Sequence, residues 1–150
     1  MDALAVLPDW LLATLFVVGL LAIIFGVAWR NTRRQVRQTY ARRPNLTEAQ
    51  FIENMRADVS REAALFLWQT ALPYLDFHKP PLTPHPDDDL IKDLPIDSDD
   101  ISMDWPKHWA ERHGFHDSNL PDWPKGWPVT IRNYGRWLDM RPQPEPPPLN

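Results

Sequence analysis

Between Trp10 and Trp29 the chain runs for twenty residues without a charge. That stretch constrains the fold more than anything else in the sequence. At 1.5 Å per residue, a helix of this length is about 30 Å long, which matches the hydrocarbon core of a bilayer. A tryptophan stands at each end, where an interfacial aromatic belt would lie. Arg30, Arg33, Arg34, Arg37, Arg42 and Arg43 follow, and no lysine or arginine precedes the stretch. By the positive-inside rule, residues 10–29 form a single transmembrane helix, with residues 1–9 outside and everything after Arg30 in the cytoplasm. The expected location is therefore a plasma (inner) membrane. A cleaved signal peptide fits poorly: Asp2 and Asp9 lead, and Phe25, Gly26, Val27, Ala28 and Trp29 offer no Ala-x-Ala site. Gly19 and Gly26 are seven apart and make no Gly-x-x-x-Gly pair for helix dimerisation.

Charge divides the chain in two. Residues 1–43 carry six basic and two acidic side chains, whereas residues 44–150 carry ten basic and eighteen acidic ones. The basic juxtamembrane segment, residues 30–45, suits anionic headgroups, so the lipid bilayer is an expected partner. The acidic remainder does not suit nucleic acid. About a hundred residues remain for one small cytoplasmic domain, placed at residues 46–140 and followed by a proline-rich, disordered tail at residues 141–150. The absence of cysteine fits a reducing compartment.

The spacing within the domain is helical. Thr47, Glu48, Ala49 and Gln50 make a capping box, and Leu46 is placed to staple onto Phe51. Phe51, Met55, Val59, Ala63 and Leu67 then recur on one face, predicting one long helix that stops near Pro73. Residues 76–89 contain four prolines and predict an extended loop. Two related hexapeptides follow, Asp104 to Trp109 and Asp122 to Trp127, each able to start a helical turn. Their tryptophans are read as core fillers. The fold class is thus all-α: one transmembrane helix and a small helical bundle.

Eight acids lie between Asp87 and Asp104, opposed only by Lys92. Within this run, Asp93, Leu94, Asp97 and Ser98 have the form Asp-Leu-x-x-Asp-Ser. In this the chain resembles the acyl carrier protein superfamily, whose members present a serine at the start of their second helix. Thr130, Ile131, Tyr134, Trp137 and Leu138 resemble the superfamily's last helix, so the likeness covers roughly residues 47–140. It implies an acyl-carrier-like bundle in which Ser98 is the attachment point for 4'-phosphopantetheine. It also implies a non-catalytic role toward partner enzymes, with the acidic surface steering basic partners. Pro106, eight residues after Ser98, forces a delayed start or a break in that second helix. Asp99 stands where carriers usually have an apolar residue, and related folds exist in which the serine is lost.

Other chemistry finds little footing. His108, His113, His116 and Asp117 lie close in sequence, but not at a zinc-site spacing, so no metal is expected. No glycine-rich phosphate cradle or Gly-x-Ser-x-Gly elbow is present. The chain is expected not to be an enzyme. A different class of function, a membrane-tethered interaction scaffold, would use the tryptophans and the proline-rich tail to hold a protein partner, leaving Ser98 as a helix cap.

Overall fold

The computed structural model describes residues 8–140; the expectations for residues 1–7 and for the proline-rich tail at residues 141–150 lie outside the described residues. The described chain is all-helical. It divides between Arg34 and Gln35 into two units.

The first unit belongs to helix α1, Asp9–Arg42. Trp10, Phe16, Phe25 and Trp29 are all more than half exposed. Such a surface is costly in water and favourable in lipid. Among the described residues, α1 is the one helix long and apolar enough to cross a membrane. Arg33 lies over the Trp29 ring at 5.0 Å, a cation-π contact at the start of the basic segment.

The second unit begins at Gln35, earlier than residue 46, because the last turns of α1 pack into it: Val36 and Thr39 are buried. Helices α2, Glu48–Met55, and α3, Arg61–Leu75, follow. The expected capping box is present, with Thr47 accepting from the Gln50 N–H and Gln50 accepting from the Thr47 N–H. The single helix expected from Thr47 to Pro73 is instead two. Ser60 starts α3 by accepting the Ala63 N–H, and its own N–H and hydroxyl both donate to the Asp139 carboxylate at 2.6 Å. A cap satisfied from both sides outweighs continuation of α2. The apolar spacing survives the break: Phe51, Met55, Val59, Ala63 and Leu67 are all buried. The helix ends near Pro73 as expected, at Leu75, with the proline inside its last turn. Only one intrahelical donor is lost, two residues before the end.

After an irregular segment, a turn of π-helix at Asp100–Asp104 leads into α4, Trp105–His113, which Gly114 closes at φ 74°. Only glycine adopts that angle readily. Helix α5, Ile131–Leu138, is capped by Thr130 as expected and buries Ile131, Tyr134, Gly135 and Leu138. A methyl group on Gly135 would meet Val59 at 2.7 Å, so this glycine permits close approach to the α2–α3 connection. Trp105 and Trp109 are buried, and the Trp109 indole donates to the Leu138 carbonyl at 3.0 Å. They fill the core.

Candidate functional site

The helical run that contains α4 opens at Ser98, which is exposed. Asp97 caps it: its carboxylate accepts the Asp99 N–H at 2.8 Å, and its carbonyl accepts the Ile101 N–H at 3.3 Å. The Ser98 hydroxyl therefore stands in the first turn, outside the packed body, where backbone N–H groups favour an added anion.

Pro106 sits in the first turn of α4, which starts only at Trp105 after the π-turn, so the α-helix proper is delayed as expected. Its ring would collide with the Ser102 carbonyl in a regular α-turn, and it has no N–H to donate. The π-turn widens the helix at this point, with the Trp105 N–H reaching back five residues to the Asp100 carbonyl. The Tyr134 hydroxyl donates to the Ile101 carbonyl at 2.6 Å. Burial raises the Tyr134 phenol's pKa, so it remains a donor at neutral pH.

Beside Ser98 lies a groove of about 370 Å³. Ser98 and Ser102 border it, and its walls are Ile91, Ile101, Pro106, Val129 and the rings of Trp123, Tyr134 and Trp137. The polar ends of those rings are already engaged. Trp137 donates to the Pro121 carbonyl at 2.7 Å, Trp123 to the Trp127 carbonyl at 3.3 Å, and Tyr134 to Ile101. What the groove offers a ligand is almost wholly apolar.

The acidic run behaves as two different segments. Asp97, Asp99 and Asp104 are exposed. Asp87, Asp88, Asp89 and Asp93 are built into a turn instead. Asp88 is 1% exposed and is gripped by the Arg43 guanidinium, with Nε 3.0 Å from its carboxylate. Burial pushes its carboxyl above the ordinary range, against the pull of Arg43. Asp89 is shifted the other way. Burial alone would raise it, but the Lys92 and Ile91 N–H groups and the Lys92 ammonium outweigh that and hold it low. Arg42 pairs with Asp93 at 2.9 Å, and Arg132 ties Asp87 to Asp58 at 3.0 and 2.9 Å. The 86–90 segment meets the start of α5 through the Leu90 N–H to the Val129 carbonyl and the Ile131 N–H to the Asp88 carbonyl.

The histidines are dispersed. His113 lies 3.3 Å from Glu62, His116 contacts Asp117, and His108 is exposed. Among the described residues, no group of three His, Cys, Asp or Glu side chains is placed to hold a metal ion. Sequence reasoning missed the roles of Gln35, Thr39, Arg42, Arg43 and Arg132. The spacing of the first four, at i, i+4, i+7 and i+8, was a legible signal of a docking face. No family model, characterised protein or solved structure matches the chain.

Proposed function

We propose that this is a single-pass membrane protein whose acidic helical domain presents Ser98 as a carrier site, bearing a 4'-phosphopantetheine arm, to partner enzymes at the membrane. The observation that carries this reading is Ser98 itself, exposed in the first turn of a capped helix and on the rim of an apolar groove. These residues fit the group. The hydroxyl is open to a transferase, the helix start tolerates the phosphodiester, and the groove has room for an apolar chain. When bound, the arm supplies a thiol that holds an acyl group as a thioester. The domain then needs no catalytic set of its own: Ser98 anchors, Asp97 fixes the helix start, and exposed Asp99 favours basic partners. The burial of Trp105 and Trp109 leaves them little role as a recognition patch for a scaffold.

The test is the intact mass of the full chain in detergent after incubation with coenzyme A and a broad-specificity phosphopantetheinyl transferase. One added phosphopantetheine is expected in the parent and none in Ser98→Ala. A folded parent that stays unmodified while a control carrier is loaded would overturn the proposal.

The arginines after Trp29 and their absence before Trp10 support an anchor in the plasma (inner) membrane, with the N-terminus outside and the domain in the cytoplasm. The chain has no cysteine, so Lys125→Cys, at an exposed position, introduces a single reporter thiol. A membrane-impermeant maleimide should label it only after the cells are permeabilised. Labelling in intact cells would reverse the orientation.

A further inference from the structure

The turn ahead of Ser98 closes on one backbone hydrogen bond of its own, from the Asp93 N–H to the Asp89 carbonyl at 2.9 Å, but its later carbonyls depend on α1. The carbonyls of Lys92, Asp93 and Leu94 accept no backbone hydrogen bond among the described residues, yet all three are satisfied. Gln35 Nε2 donates to the Lys92 carbonyl at 2.9 Å and to the Leu94 carbonyl at 3.1 Å. The Thr39 hydroxyl donates to the Asp93 carbonyl at 2.8 Å. One turn further on, Arg42 pairs with the Asp93 carboxylate, and Arg43 joins the Asp88 carboxylate to the Thr83 carbonyl. Gln35, Thr39 and Arg42 share one face of the last turns of α1, and Arg43 follows directly at its end, all within the second unit.

Only Pro95 and Ile96 separate Leu94 from the Asp97 cap. Pro95 has a fixed φ, and Leu94 and Ile96 are both buried. A connection so short and stiff passes a shift at residues 92–94 directly to the helix start. We infer that Gln35 and Thr39 are positioning residues for Ser98: by satisfying three successive carbonyls they hold the turn that sets where the capped serine is presented. The role in presentation rests on the carrier reading; the holding of the turn does not. The juxtamembrane end of α1 is on this view part of the site's mount, and a segment beginning at Leu46 would lack it.

Hydrogen exchange of the full chain in detergent micelles, read by mass spectrometry, tests this. Gln35→Glu removes both amide donations, and Thr39→Val removes the hydroxyl at nearly constant volume. In the double variant, amides of residues 96–101 should exchange about tenfold faster, while those of α3 and α5 keep the parent rate. Thr39→Ser, which retains the hydroxyl, should leave the pattern unchanged. Parent-like exchange at residues 96–101 would overturn the proposal, as would acceleration spread equally over α3 and α5, the mark of general destabilisation. Should the double variant fail to fold, the half-buried Gln35→Glu change alone decides by the same two criteria. If the parent takes no phosphopantetheine, the carrier reading falls, and the exchange pattern still decides whether α1 holds the turn.

Discussion

Two aspartate-rich stretches lie a few residues apart and have opposite physical lives. Asp87 to Asp93 is tied into the domain, each carboxylate paired with a cation, although Asp87 itself stays exposed. Of Asp97 to Asp104, Asp97, Asp99 and Asp104 face solvent, and among the described residues none of the four aspartates forms an ion pair. The difference does not come from the acids. It comes from Arg42, Arg43 and Arg132, brought from both ends of the domain to the first stretch alone, and from Lys92 within that stretch. A run of like charge therefore says little about its own exposure until the partners that could neutralise it are located in space.

The largest test of that contrast is to remove one acid from each stretch. Asp88→Ala leaves the Arg43 guanidinium, itself almost fully buried, without its main partner. Breaking a buried pair from one side costs about 3–5 kcal/mol, a large share of the stability of a small domain. Asp99→Ala, at an exposed position, should change stability by less than about 0.5 kcal/mol. Thermal unfolding of the full chain in detergent, followed by circular dichroism, compares the two. Equal losses would erase the distinction. A smaller loss for Arg43→Met with Asp88→Leu than for Asp88→Leu alone would show that the cost lies in the stranded charge.

What the sequence disclosed follows from the range of the interactions involved. The membrane-length helix, the Thr47 capping box and the Thr130 cap were legible because each depends on residues within a few positions of one another. The break at Ser60 was not, since the competing cap draws on Asp139, 79 positions away. Pro106 was correctly seen as incompatible with a regular helix, but the way it is accommodated, a π-turn with Tyr134 at the Ile101 carbonyl, needs α5 in place. For the candidate site, the position of Ser98 at a helix start was legible from the motif. The groove beside it was not, because its walls come from residues as far apart as Ile91 and Trp137. The arginines misled in a specific way. All six were read as one basic collar, whereas Arg42 and Arg43 belong to the domain's own charge network.

The subtlest expected effect separates two neighbours inside the folded stretch. Asp89 has its folded-state pKa held below the ordinary value, so its contribution to stability is complete above the ordinary carboxylate range and is lost as pH falls through the lowered folded value. Asp88 has its folded-state pKa raised by burial, so the sign is reversed: its contribution is greatest at low pH and declines as pH rises through the raised value. On acidification from neutrality, Asp88 should therefore take up its proton first, while Asp89 remains ionised and keeps the Ile91 and Lys92 N–H groups bonded. Carboxyl carbon chemical shifts of the labelled chain, followed by NMR from pH 7 downward, resolve the order. If the two carboxyls titrated together, or Asp89 first, the contrast between a buried and a hydrogen-bonded carboxylate in this turn would be wrong. Because Asp88 also accepts from Arg43, Arg43→Met should raise its titration further while leaving Asp89 nearly unmoved, which assigns the opposing pull to the guanidinium.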